Sequence, residues 1–257
     1  MRKDIMPRIK QRIEHTNHEL IKIQDEIRDF FGWDLSDDLH STEKLLYKVD
    51  NSNVNSWKIS NREKNLFDII ERMNSTDKKI VIVGAAVTSF EIIKILKNDN
   101  FLILADGAGA VFSTLDDELE EEAWSRSLCV ISDGDGGSGL TKAIQKEIPL
   151  ILHAHGDNIL SWTKVIDYIL SSDIEIKIVL THQLPKKIDG MYNFGGFTDG
   201  DRAVCFVHSI GVPKERIVMI GTRTDIVGKW SGITDKELKL SKLKWMEKVL
   251  QIIEINY

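Results

Sequence analysis

Six short apolar runs recur from residue 79 onward: KIVIVG (79–84), FLILAD (101–106), SLCVISD (127–133), LILHAHGD (150–157), EIKIVLTH (175–182) and RIVMIG (216–221). Each ends in Gly, Asp or His, and most lead into a segment with helical spacing. Strands this continuously apolar are buried on both faces, which a parallel sheet between two helical layers provides. The segments SFEIIKILK, LTKAIQKE, ILSWTKVIDYIL and DGDRAVCFVHSI supply those helices. The expected fold is therefore α/β, a mostly parallel Rossmann-like sheet with helices on both faces. It occupies residues 78–257 and closes with a long amphipathic helix in TDKELKLSKLKWMEKVLQIIEI, whose Lys-rich face reads as solvated.

Residues 1–77 differ from the rest. They are polar and charged, with apolar residues at helical intervals (Ile9, Ile13, Leu20, Ile23, Ile27, Phe30), and form a small helical N-terminal region expected to serve as a cap or homodimer surface. A second helix around 37–49 is expected to be capped by Ser36. A third begins at SNRE, where Ser60 and Glu63 have capping-box spacing.

Of 257 residues, 42% are hydrophobic, enough for a sizeable core. The net charge of -6 argues against a nucleic-acid or anionic-membrane partner, so the partners expected are small molecules. Cys129 and Cys205 both sit in apolar runs, which fits buried free thiols in a reducing cytoplasm. No stretch approaches the ~18 apolar residues of a membrane span, and MRKDIMPRIK has no apolar leader core.

In an open parallel sheet, ligands sit outside the carboxyl ends of the strands. Here those ends carry Gly84, Asp106, Asp133 with Asp135, His153, His155 and Asp157, His182, and Gly221 with Arg223. If the fourth strand stays extended through HAHGD, its period of two puts His153, His155 and Asp157 on one face. Several acids and histidines at one rim point to a site.

GDGGSG (134–139) fits the dinucleotide pattern, but it would set Asp133 and Asp135 against a pyrophosphate with no cation between them. A Walker A loop needs Lys where Leu140 stands, and an EF-hand fails at Gly137. Zinc at His153 and His155 lacks a compact third and fourth ligand. Two carboxylates in a Gly-rich turn suit Mg²⁺, which completes its shell with substrate phosphates.

Downstream, Thr198 or Asp199 caps a helix whose free N–H groups suit an anion, with Asp201 and Arg202 beside them. Gly195 and Gly196 allow close approach of a flat ligand. In GTRTDIVGKWSG, the cations Arg223 and Lys229 with Ser231 can neutralise a polyphosphate.

Taken in order, ADGA (105–108), DGDG (133–136), HAHGDN (153–158), NFGGFTDGDRA (193–203) and VGKWSG (227–232) resemble the archaeal 6-hydroxymethyl-7,8-dihydropterin pyrophosphokinases over roughly residues 80–245. A more distant likeness to thiamin pyrophosphokinases rests on Asp133, Asp135, Thr198 and Asp199. The resemblance implies Mg²⁺-dependent transfer of pyrophosphate from the co-substrate ATP to the pterin hydroxymethyl group, with release of AMP, in tetrahydromethanopterin or folate-type cofactor synthesis in an archaeal cytoplasm. It also draws Gly107 and Asn158 into the site. The family's first turn, Gly-Ala-Gly-Pro-Ser, is GAAVTS (84–89) here, and its Gly-Met-Asp-like segment is GTRTD.

On this reading the pterin hydroxyl attacks the β-phosphorus in line. Mg²⁺ sits on Asp133 and Asp135, Asp157 or Asp199 completes its shell or orients the hydroxyl, and His155 accepts the hydroxyl's hydrogen bond. Two other functions fit the same residues: a nucleotide-sugar glycosyltransferase related to flagellin-modification proteins, and a non-catalytic nucleotide-binding module.

Overall fold

The computed structural model describes residue 13, residues 18–232 and residues 234–257; Ile9 of the N-terminal apolar pattern lies outside them. From His18 onward the described elements are α1 (His18–Phe31), α2 (Leu35–Asp50), a 3-10 turn (Asn55–Trp57) and α3 (Ile59–Asn74). There follow β1 (Ile80–Val83), α4 (Ser89–Leu96), β2 (Phe101–Ala105), a 3-10 segment (Asp106–Thr114), α5 (Asp117–Arg126) and β3 (Ser127–Ser132). The remaining elements are α6 (Gly137–Gln145), β4 (Leu150–Ala154), α7 (Ile159–Leu170), β5 (Ile178–His182), α8 (Asp199–Ser209), β6 (Ile217–Ile220) and α9 (Lys236–Ile253).

The six strands form one parallel sheet in the order β5-β4-β3-β2-β1-β6. The chain therefore steps outward from β1 to β5 and returns through α8 to place β6 on the other side of β1. That reversal opens a crevice between the carboxyl ends of β1 and β6.

Strand periodicity divides the interior into two layers. Ile80, Ile82, Ile103, Cys129, Ile131, Ile151 and Val179 meet α1, α3, α8 and α9 on one face. Val81, Val83, Leu102, Leu104, Val130, Leu150, Leu152 and Leu180 meet α4, α5, α6 and α7, with α2 and Trp57, on the other. The N-terminal helices thus complete both layers, and Ile13 packs against the first. Cys129 and Cys205 are buried and free, and burial pushes both thiols well above their ordinary range. No helix among the described residues is long and apolar enough to cross a membrane.

Three local expectations are corrected. Helix α2 is capped by Asp34, whose extended backbone lets its carboxylate accept from Ser36 N at 2.8 Å, so Ser36 is a donor inside the first turn. Helix α3 starts at Ile59 with Lys58 at the cap and no side-chain cap bond. Buried Trp57, bonded through Nε1 to Ile176 O at 3.0 Å, sets its entry in place of a Ser60–Glu63 box. Strand β4 stops at Ala154, because the Asn158 side chain takes His155 N (2.9 Å) and Asp38 takes Gly156 N (2.8 Å), diverting those amides from the ladder. His155, Gly156 and Asp157 therefore form a turn and do not continue the strand face.

Candidate active site

The crevice at the reversal is lined by the turns after β1 (Gly84, Ala85, Ala86) and β6 (Gly221, Thr222, Arg223), by Asp106 and by the start of α8 (Thr198, Asp199, Gly200). Gly228 and Ser231 close one side; Lys239, Leu243 and Met246 of α9 close the other. Glycine is required where these turns meet. A Cβ on Gly221, at φ +61, would stand 2.3 Å from Val87 N, and one on Gly84 would stand 2.7 Å from Gly221 O.

Four acids gather at this end of the sheet. Oxygens of Asp106, Asp133 and Asp199 lie within 4.8 Å of one another, with Asp135 close by. Asp106, at φ +50, follows β2 directly and accepts the Ser132 hydroxyl at 2.6 Å. Burial, then the charges of Asp199, Asp133 and Asp135, hold its carboxyl well above the usual range. Burial and the charge of Asp133 push Asp199 up to about 7 and Asp135 up to about 6. Asp133 goes the other way: burial opposes its ionisation, but the His155 bond and the His155 and Arg202 charges outweigh it, and its carboxyl stays well below the usual range. Its Oδ1 is buried without a hydrogen-bond partner.

A buried carboxylate oxygen with no donor, beside two acids reluctant to ionise together, is the arrangement a divalent cation relieves, and oxygen-only donors suit Mg²⁺. The trio named by geometry is Asp106, Asp133 and Asp199, whereas sequence spacing paired Asp133 with Asp135, which is more exposed.

His155 is corrected in role. Its Nε2 donates to Asp133 Oδ2 (3.1 Å) and its Nδ1 to Asp157 Oδ1 (2.7 Å). Burial alone would lower this imidazole, but the two carboxylates outweigh it and carry it up to about 9, while the His155 bond brings Asp157 down to about 2. An imidazolium with both nitrogens donating has no lone pair for a substrate hydroxyl.

Several expected ligand-binding residues brace the site from behind. His153 is buried, bonds Thr181 Oγ1 through Nδ1 at 3.0 Å, and lines a small cavity with Thr181, His182 and Arg202. Asn158 spends its amide inside the protein, donating to Asp133 O (2.9 Å) and His153 O (2.7 Å). Asp201 is the buried partner in the α8 capping box and accepts Phe197 N and Thr198 N, each at 2.7 Å. Gly107 packs where a Cβ would meet Gly136 O and Trp230 O, both at 2.6 Å. Exposed Lys229 lies over the Trp230 ring, and exposed Arg223 is held by both oxygens of Asp225. Of the expected ligand contacts, Gly84, Asp106, Thr198, Asp199, Arg223 and Ser231 face the crevice.

Sequence reading missed Lys239. It faces the crevice from a helix face expected to be only solvated, and its charge acts on Asp135 and Asp199. A lysine aligned with Leu243 and Met246 at i+4 and i+7 was the available signal. It also missed Asp38, Gln183 and Arg28, which reach the site from elements distant in the chain.

No protein-family model matches the chain. Among curated proteins it is similar to the 6-hydroxymethyl-7,8-dihydropterin pyrophosphokinase of Pyrococcus furiosus, 32% identical over 206 residues that cover 76% of this chain and 80% of the relative. The protein of the same name from Methanocaldococcus jannaschii is 28% identical over 248 residues, covering 89% and 92%. That from Methanothermobacter thermautotrophicus is 29% identical over 164 residues, covering 60% and 63%.

Proposed function

Because the chain belongs to the 6-hydroxymethyl-7,8-dihydropterin pyrophosphokinase family, whose members are diphosphotransferases, we propose that it moves the terminal diphosphate of ATP onto the hydroxymethyl group of that pterin. The pterin oxygen bonds to the β-phosphorus as the bond from that phosphorus to the α,β-bridging oxygen breaks. AMP leaves with the bridging oxygen, and the hydroxyl proton is released. The setting we propose is a cytoplasmic, Mg²⁺-dependent step of tetrahydromethanopterin or folate-type synthesis.

The observation that carries this reading is the cluster of Asp106, Asp133 and Asp199 beside a crevice walled by glycine turns and a helix N-terminus. Such transfers ask for positioning and charge neutralisation more than covalent chemistry. Asp106, Asp133 and Asp199 are the residues that would hold Mg²⁺, which would supply neutralisation of phosphate charge there. The N-terminus of α8 and Lys239 supply positive potential for the triphosphate. The His155 imidazolium keeps Asp133 ionised and fixed in direction. With both ring nitrogens of His155 engaged, the hydroxyl proton goes to an acid of the cluster or to water.

Purified protein incubated with ATP, Mg²⁺ and 6-hydroxymethyl-7,8-dihydropterin is expected to yield AMP and the pterin diphosphate in equal amounts, resolved by chromatography. Asp133→Asn is expected to lower kcat by at least about 100-fold with the fold intact. Sugar transfer in place of AMP formation, or a near-wild-type Asp133→Asn, overturns the reading.

A further inference from the structure

A single carboxylate from the N-terminal helices braces both sides of the acid cluster. Asp38, in the first turn of α2, is buried and accepts four hydrogen bonds. Arg28 Nη1 of α1 gives one to Oδ2 (3.0 Å). Gln183 Nε2 reaches both oxygens (3.0 and 2.9 Å), and Gly156 N reaches Oδ1 (2.8 Å).

Two consequences follow from donor and acceptor chemistry. A carboxylate can take only the NH₂ end of a glutamine amide, so Asp38 forces the carbonyl end of Gln183 outward. That oxygen accepts from Arg202 Nη2 at 3.2 Å, and Arg202 Nη1 faces Asp199 Oδ1 at 3.5 Å. On the other side, holding Gly156 N fixes the turn that carries His155 onto Asp133. Gly156 is itself wedged against α2, where an added Cβ would stand 2.8 Å from Asp37 Cβ.

We propose that Asp38 is a positioning residue for the diphosphoryl transfer, setting Arg202 against Asp199 and His155 against Asp133, so that the N-terminal helices belong to the reaction apparatus. This rests on the function proposed above. The substrate is touched by the acids; Asp38 acts only through Gln183, Arg202 and the Gly156 turn.

The donor order gives a direct test. In Asp38→Asn one acceptor oxygen becomes an NH₂, which opposes the Gln183 NH₂ and either Gly156 N or Arg28 Nη1 as donor against donor, so the Gln183 amide loses one of its two bonds and its carbonyl is no longer forced toward Arg202. Adding Gln183→Glu restores acceptors on both sides and returns the lost charge. Full-length wild type, Asp38→Asn, Gln183→Leu and Asp38→Asn/Gln183→Glu are compared for kcat, for KM toward ATP and the pterin, for ATP–Mg²⁺ affinity by calorimetry, and for melting temperature.

Asp38→Asn and Gln183→Leu are each expected to lower kcat by about tenfold or more while ATP affinity changes by less than about threefold, with the double variant recovering most of the loss. Gln183→Leu leaves the Gly156 bond in place, so it reads the Arg202 arm even if Asp38→Asn folds poorly. A wild-type rate in Gln183→Leu, a loss seen only in KM, or a double variant no better than Asp38→Asn overturns the inference alone. A wild type without turnover overturns the underlying reading as well.

Discussion

His155 shows how burial and neighbours decide what a side chain can do. An imidazole at the end of a strand reads as a proton acceptor, but placed between Asp133 and Asp157 it is a charged strut. Its titration is raised from 6.5 to about 9, so its contribution to stability is fully present below pH 6.5 and is lost as the pH rises through about 9. Asp133 and Asp157 are both depressed and remain ionised across that window, so they add no opposing slope. At about 1.4 kcal/mol per unit, the imidazolium contributes on the order of 2 kcal/mol after allowance for the exposed Asp157 partner. Urea unfolding at several pH values is expected to show wild type more stable than His155→Gln by about that amount at pH 6, the gap closing above pH ~9. A gap that stays constant from pH 6 to pH 10 rules out the charged strut.

At the scale of elements, legibility followed periodicity. Runs such as KIVIVG announced strands because a two-sided interior demands apolar residues at consecutive positions, and the alternation of Ile80 and Ile82 against Val81 and Val83 fixed which helices each would meet. The element ends were harder to read. Ser36 and Ser60 are good capping residues, yet Asp34 and the buried Trp57 decided where α2 and α3 begin. The end of β4 was set by Asn158 and Asp38 side chains, which strand propensity does not encode. The turn after β6 is a place where element geometry and the proposed nucleotide space coincide. Gly221 sits at φ +61, accepts Ala86 N through its carbonyl at 2.9 Å, and donates its own N–H to Glu91 Oε1 at 3.2 Å. Gly221→Ala adds left-handed strain of about 1–2 kcal/mol and a methyl 2.3 Å from Val87 N, so the β1 and β6 turns must separate. Expected results are a melting temperature several degrees lower and at least tenfold weaker ATP binding by calorimetry, each roughly estimated from that strain. Unchanged values for both would mean that the two turns do not form the nucleotide wall.

Across the whole molecule, the reversal between β1 and β6 gathers what the sequence scatters. The acids after β2, β3 and Phe197 were visible one at a time as polar residues ending apolar runs. Their coupling to Asp38 and Gln183 was not, because residues 145 positions apart share no spacing rule and meet only through the packing of α2 over the sheet end. The same gathering creates an electrostatic conflict: a chain with net charge -6 concentrates Asp106, Asp133, Asp135 and Asp199 where the proposed function puts a tetra-anionic nucleotide. Lys239, Arg202 and the α8 N-terminus offset part of that charge, but the orphaned Asp133 Oδ1 shows that the balance is incomplete. On the proposed function, ATP alone is therefore expected to be repelled by the acids and ATP with Mg²⁺ to be held by them. Ligand binding to the folded state stabilises it by about 2.7 kcal/mol at 100 times Kd, which for a chain of this size raises the melting temperature by about 5–10 °C. Thermal unfolding is expected to show that rise with ATP and Mg²⁺ together, little with either alone, and none in Asp133→Asn. The ion is then part of nucleotide recognition as well as of the chemistry, whereas an equal rise with ATP in the presence of a chelator would place the triphosphate on the lysine and helix N-terminus alone and remove the carboxylates from binding.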